Sequence, residues 1–231
     1  MLGRWDEAIE RAREIPEDRL RETTTLSVLE SLTQINIARG DVPEARRVLG
    51  LYPDTSGDVQ EQSSILGARA AVLRAEGKLD EALAAALACL DELAGPTAAA
   101  VFSRQQGKLA FPLAVETLVA LGRPSEADEW LARYDAVPPG VRPPFVQAHA
   151  LRLRALVDGD PSGYARAAAV FDELGIPFWA AVARLEQAEA LEVGDERERL
   201  VAAARAEFER LGATPWLEKV AASGSRVAVV S

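Results

Sequence analysis

The sequence predicts an all-α protein: a right-handed α–α superhelix of about six helical hairpins, the first of them incomplete. Three observations carry this. Glycines followed five residues later by a small residue recur as Gly3/Ala8, Gly40/Ala45, Gly77/Ala82 and Gly122/Ala127, with looser members at Gly159/Tyr164 and Gly194/Arg199. Successive glycines of the set lie 37, 37, 45, 37 and 35 residues apart. A second marker, Phe171-Asp-Glu-Leu174-Gly175-Ile-Pro-Phe-Trp179, returns as Phe208-Glu-Arg-Leu211-Gly212-Ala-Thr-Pro-Trp216 at an offset of 37. Two different markers on one period mark stacked repeats, and the segments between them have helical spacing, as in Leu66, Ala70 and Leu73 or Leu83, Leu87 and Leu90.

The elements follow in order. A helix over 5–15 opens behind Gly3 and carries Ala8, Ile9, Ala12 and Ile15 as an apolar stripe. Its own antiparallel first helix is absent from the sequence, so this edge is expected to dock an upstream domain, another subunit or a partner. Helices over 24–39 and 43–51 form the next pair, the second started by Pro43, whose missing N–H is harmless in a first turn. After the turn Asp54–Asp58 come helices over 58–76 and 79–94, then one over 98–121 broken near Gly107 or Pro112. Pro124 starts a helix to 136; the proline-rich turn Val137–Pro144 leads into 144–158, and Pro161 starts 161–174. Helices over 177–193, 195–211 and 214–222 complete the array, with Asp195 and Glu198 in capping-box spacing. In each turn the glycine relieves the left-handed conformation that ends a helix, and the small residue beyond it lets two antiparallel helices approach. Residues 1–222 thus form one array, and 223–231, whose Val227, Val229 and Val230 leave the helical period, form a frayed tail.

Composition narrows the function. Among 231 residues there is one cysteine, Cys89, and one histidine, His149, so no intrachain disulfide, thiol-rich zinc site or imidazole cluster is available. A net charge of −10 and a pI near 4.8 argue against nucleic acid or an anionic membrane as partner. The N-terminus lacks a basic segment followed by an apolar one, and no run approaches the roughly 18–20 apolar residues of a membrane span; a cytoplasmic location is expected.

The turn Gly3-Arg-Trp5-Asp-Glu-Ala8 resembles the tetratricopeptide repeat, although Val42, Leu79 and Pro124 replace the aromatic residue elsewhere and the period exceeds that family's roughly 34 residues. Over about 80–221, the ordered segments Leu121-Gly-Arg-Pro-Ser-Glu-Ala127, Val137-Pro-Pro-Gly-Val-Arg-Pro-Pro-Phe145, Gln147-Ala-His-Ala-Leu-Arg-Leu-Arg154, Leu185-Glu-Gln-Ala-Glu189 and the two aromatic markers resemble a narrower group. They are similar to the C-terminal repeat region of bacterial signalling proteins in which an adenylate/guanylate cyclase domain precedes an AAA-type NTPase and a repeat array, and to related LuxR-type regulators. That resemblance implies the tail of a longer protein, or a reduced stand-alone relative, whose partners are the cyclase and NTPase domains or another protein. No catalytic residue carries over. The Gly-Lys pairs Gly77-Lys78 and Gly107-Lys108 lack the hydroxyl residue and preceding strand of a phosphate loop, and no strand-rich segment exists to hold paired cyclase aspartates.

The expectation is therefore a non-enzymatic interaction, scaffold or sensor module with no catalytic, cofactor-binding or metal-binding residues. The alternative is a ligand-sensing repeat domain closing around a small-molecule effector. Arg104, Lys108, Arg152 and Arg154 are the candidate partner-binding cations of an acidic chain. Cys89 reads as a buried inert thiol and His149 as a packing or surface residue. Trp5, Trp130, Trp179 and Trp216 read as inter-repeat core, and Glu186, Glu189 and Glu192 as a solvated helix face.

Overall fold

Five of the six periodic glycines, Gly3, Gly40, Gly77, Gly122 and Gly159, have φ between 71° and 84°, the left-handed turn that their spacing predicts. The computed structural model describes residues 3–20, 26–95 and 99–225, and every regular element among them is helical. The helices are α1 (Trp5–Arg13), α2 (Glu17–Leu20), α3 (Leu26–Arg39), α4 (Val42–Leu49), α5 (Val59–Ala75), α6 (Leu79–Glu92) and α7 (Ala99–Ser103). They continue as α8 (Gln105–Ala120), α9 (Pro124–Asp135), α10 (Pro144–Asp158), α11 (Pro161–Glu173), α12 (Pro177–Ala190), α13 (Asp195–Leu211) and α14 (Thr214–Ser225), with a 3₁₀ turn at Pro139–Val141. Successive helices pack on one another as a solenoid. The small residue after the turn is fully buried at Ala45, Ala82 and Ala127, where paired helices meet.

Four local expectations are corrected. Gly194 is extended, with φ 167°, and the proposed capping box does not form: Gly194 occupies the N-cap and Asp195 already lies inside α13. The remaining left-handed glycines are Gly175 and Gly212, which join successive hairpins. The break in 98–121 falls at Arg104, not at Gly107 or Pro112. Gly107 instead lets α7 fold back over α8, since a Cβ there would lie 1.8 Å from the Val101 carbonyl oxygen; Phe102 then packs edge-on against Phe111 and Tyr134. Pro112 stays inside α8 and forgoes one backbone hydrogen bond. Finally, α14 runs past 222 to Ser225, because Ser223 is buried and donates its hydroxyl to Glu189 at 2.7 Å while its carbonyl accepts from Arg197 at 3.1 Å. Residues 226–231 lie outside those described.

The solenoid curves until its two ends meet. Trp5 and Ile9 of α1 and Ile35 and Ala38 of α3 share one core with Phe178, Phe208, Leu211 and Val220 from the last three helices. The Trp5 and Phe178 rings are 5.3 Å apart. Arg39 donates to the Leu211 carbonyl at 3.1 Å, across 172 residues of sequence, and Arg210 donates to the Gly3 carbonyl at 3.1 Å. Arg39 also lies over Trp5 and pairs with Asp6 at 2.7 Å. Each fully buried aromatic ring is worth roughly 1.5–3 kcal/mol relative to exposure, so the seam is held chiefly by packing and registered by its arginines.

Candidate functional site

The first helices of the hairpins face inward and form a closed circuit. α3 packs on α5, α5 on α8 and α8 on α10. His149 of α10 meets Trp179 of α12 at 4.5 Å, Phe178 of α12 meets Trp216 of α14 at 5.7 Å, and α14 returns to α3. These six helices surround a cavity of about 440 Å³, to which each contributes wall: Ile37, Ala71, Leu113, His149, Trp179 and Trp216, in chain order. The volume lies within the range of small-molecule sites, and the wall is mainly apolar, as such sites are. Gly40, at the mouth of one hairpin turn, also borders it and abuts Pro215 of α14.

Beside the cavity runs a buried ionic chain. Arg152 of α10 donates to Glu186 of α12 at 2.7 and 3.0 Å and to Glu116 of α8 at 2.6 Å. Glu116 also pairs with Arg74 of α5 at 3.2 Å, and Arg74 donates to the Thr117 hydroxyl at 3.2 Å. Burial works against both charged forms. For Arg152, Glu186 and Glu116 outweigh that penalty and push the guanidinium pKa up; for Glu116, Arg152 and Arg74 outweigh it and hold the carboxyl low. Paired in this way, Arg152 and Glu116 stay ionised inside the ring.

His149 is fully buried, edge-on to Phe145, Phe171 and Trp179 with centroids 4.5–5.0 Å away. Burial first, and Arg152 second, push its pKa well below the ordinary value, so the imidazole is neutral. Its Nδ1 lies 3.5 Å from Nη1 of Arg152, while its Nε2 has no hydrogen-bond partner among the described residues. Cys89 is buried with its thiol 3.2 Å from the Ser63 carbonyl, and burial pushes its pKa up to about 12, the environment of an unreactive thiol.

The four candidate cations do not form a common patch. Arg152 is 3% exposed and committed to two carboxylates, so it is a buried structural cation and not an arm for a partner. Arg154, two residues on, lies outside and is tied to Asp128 and Asp135 of α9. Arg104 is exposed at the α7–α8 break, and Lys108 is half-buried one turn later. Glu186 likewise is not solvated, whereas Glu192 is; Glu189 pairs with Lys219 at 3.1 Å. At the N-terminal edge Ala12 is buried, Ile9 packs into the seam with the far end of the chain, and Ala8 is exposed. Ala8, Ala12 and Ile15 still line a groove of about 290 Å³ with Val28, Leu32 and Ile35 of α3.

Sequence reasoning missed the cavity. The available signal was the aromatic echo itself: Trp179 and Trp216, 37 residues apart, take equivalent inward positions on α12 and α14. Among the described residues, no cluster of three His, Cys, Asp or Glu could hold a metal ion, and no helix is long and apolar enough to cross a membrane. No family model and no curated protein matches the chain. A solved structure similar to it is the crystal structure of BtubC (BKLC) from P. vanneervenii, at 14% sequence identity and a TM-score of 0.39, over 98% of this chain and 87% of that one.

Proposed function

We propose that this chain is a non-enzymatic sensor module of a bacterial signalling protein, one that binds a small effector in the cavity of its closed ring. The supporting observation is the convergence of all six inner helices on one largely apolar cavity of about 440 Å³. Ring closure matters to the choice between a protein partner and a small one: an open superhelix offers a long concave face to a peptide, whereas here the last helix packs on α3 and closes the circuit of inner helices. An effector touching several repeats at once would tighten the whole ring, which adjoining cyclase and NTPase domains could read as a change in stiffness. The groove beside Ala8, Ala12 and Ile15 supports a second role, docking of a protein partner on the outside.

A small-molecule library screened by thermal unfolding tests the main reading, with the cavity-filling variant Leu113→Trp as control. An effector at about 100 times its Kd adds about 2.7 kcal/mol, raising Tm by roughly 5–10 °C in a chain of this size. Hits that act on the wild type and not on Leu113→Trp are expected. A blank screen, or hits acting equally on both proteins, overturns the reading.

A further inference from the structure

We propose that the cavity takes a neutral, planar small molecule with a hydrogen-bond donor and an acceptor side by side, such as a lactam or carboxamide edge, read by the side-chain amide of Gln34. This rests on the effector-binding reading above and adds the chemical class.

Gln34 stands on α3 one turn before Ile37 and Ala38, and all three border the cavity. It is half-buried, and its amide has no hydrogen-bond partner among the described residues, although both amide atoms stay accessible. The polar groups on its other side are already engaged with one another. Ser64 and Gln106 donate to Glu30 at 2.7 and 3.2 Å, and Gln106 also donates to Ser64 at 3.0 Å. The niche that Gln34 shares with them measures about 10 Å³, space for no more than a water. Room for a ligand at this amide therefore lies on the cavity side. A ligand filling that space strips water from the amide, which costs affinity unless the ligand supplies partners in return. A glutamine amide both donates and accepts, so whichever way it is turned, its complement is a donor next to an acceptor.

The rest of the wall selects the body and the charge of the ligand. Trp179 and Trp216, both part-exposed, border the cavity from α12 and α14, a setting suited to offset or edge-on packing of a planar ring. The charged side chains of the wall are in ion pairs: Arg74 with Glu116, Glu116 with Arg152, and Lys219 with Glu189. A charged ligand would lose its water without gaining an uncommitted counterion, so a neutral one is favoured.

The test uses three flat bicyclic probes: the lactam 2-quinolinone, its isostere coumarin with a ring oxygen in place of the N–H, and the anion 2-naphthoate. Binding is measured by calorimetry on the full chain, wild type and Gln34→Met. The lactam is expected to bind the wild type about tenfold tighter than coumarin, the worth of one hydrogen bond, and to lose that preference in Gln34→Met. NMR on the wild type should show an Overhauser contact between the lactam N–H and the Gln34 amide protons. If the methionine variant does not fold, the wild-type preference and this contact decide together, and a preference without the contact overturns the inference. Equal binding of lactam and coumarin overturns it and leaves the effector reading standing. So does a preference that survives in Gln34→Met, because another group then reads the lactam. Tightest binding of 2-naphthoate overturns the neutral class. If none of the three binds, the inference falls, while the effector reading falls only when the library screen is also blank.

Discussion

Replacing Arg152 by methionine removes the cation at the centre of the buried chain while keeping most of its aliphatic stem. In the native protein the side chain is 3% exposed and holds Glu186 and Glu116, themselves 10% and 13% exposed, through bonds of 2.6–3.0 Å. After the substitution Glu116 keeps Arg74 at 3.2 Å, but Glu186 loses the cation that holds it. Stranding one carboxylate of a buried pair costs about 3–5 kcal/mol. At about 2–4 °C per kcal/mol for a chain of this length, the Tm should fall by roughly 6–20 °C. The assay is urea unfolding followed by circular dichroism, where a lower midpoint at unchanged slope reports a true loss of stability. The double variant Arg152→Met/Glu186→Met should recover most of the loss, because replacing both partners by apolar groups is often near neutral. A single variant losing less than about 1 kcal/mol, or a double variant no better than the single, would refute the claim that the cost is an unpaired buried charge.

Ala82→Leu should destabilise by about 1–3 kcal/mol, because Ala82 is fully buried where α6 meets its neighbours and extra methylenes overpack the contact; an unchanged thermal midpoint would place it away from a close contact. Gly40 and Gly77 share a left-handed φ of 84° and 77°, but a Cβ would meet Pro215 at 2.9 Å at Gly40 and nothing within 4 Å at Gly77. Both alanine variants should therefore carry a backbone cost of about 1–2 kcal/mol, and only Gly40→Ala should also speed hydrogen exchange in α14. Equal exchange in the two variants would mean that the seam does not depend on this contact. His149 is held neutral in the fold with its pKa lowered, so on acidification the unfolded chain takes up a proton that the folded chain refuses. Stability should thus be lost progressively as pH falls below about 6.5. The urea midpoints of wild type and His149→Phe at pH 7.5 and 5.5 isolate this contribution, and parallel pH dependences would exclude it.

The helices and their pairing were legible in the sequence because the rules that make them are local. A glycine is needed where φ turns positive, and Pro43, Pro124, Pro144, Pro161 and Pro177 all stand in the first turn of a helix, where a missing N–H costs nothing. Where a local rule had two outcomes the sequence did not choose. Gly107 and Pro112 both read as helix breakers, yet the break fell at Arg104, where α7 folds back and Val101, six residues before Gly107, uses the space that this glycine leaves.

The site depended on tertiary structure throughout. Arg152 and Arg154 look alike in sequence, but residues two apart on a helix do not share a face, so one entered the ring and the other faced α9 outside. Which one turned inward was decided by Glu116 and Glu186, 36 and 34 residues away. Ring closure is further still from any local signal. The period of the repeats states that hairpins stack, but the curve of a solenoid is the sum of small rotations between neighbours. Whether that sum brings Trp5 against Phe178, and so turns an open concave face into a cavity, is settled only when all the hairpins are packed.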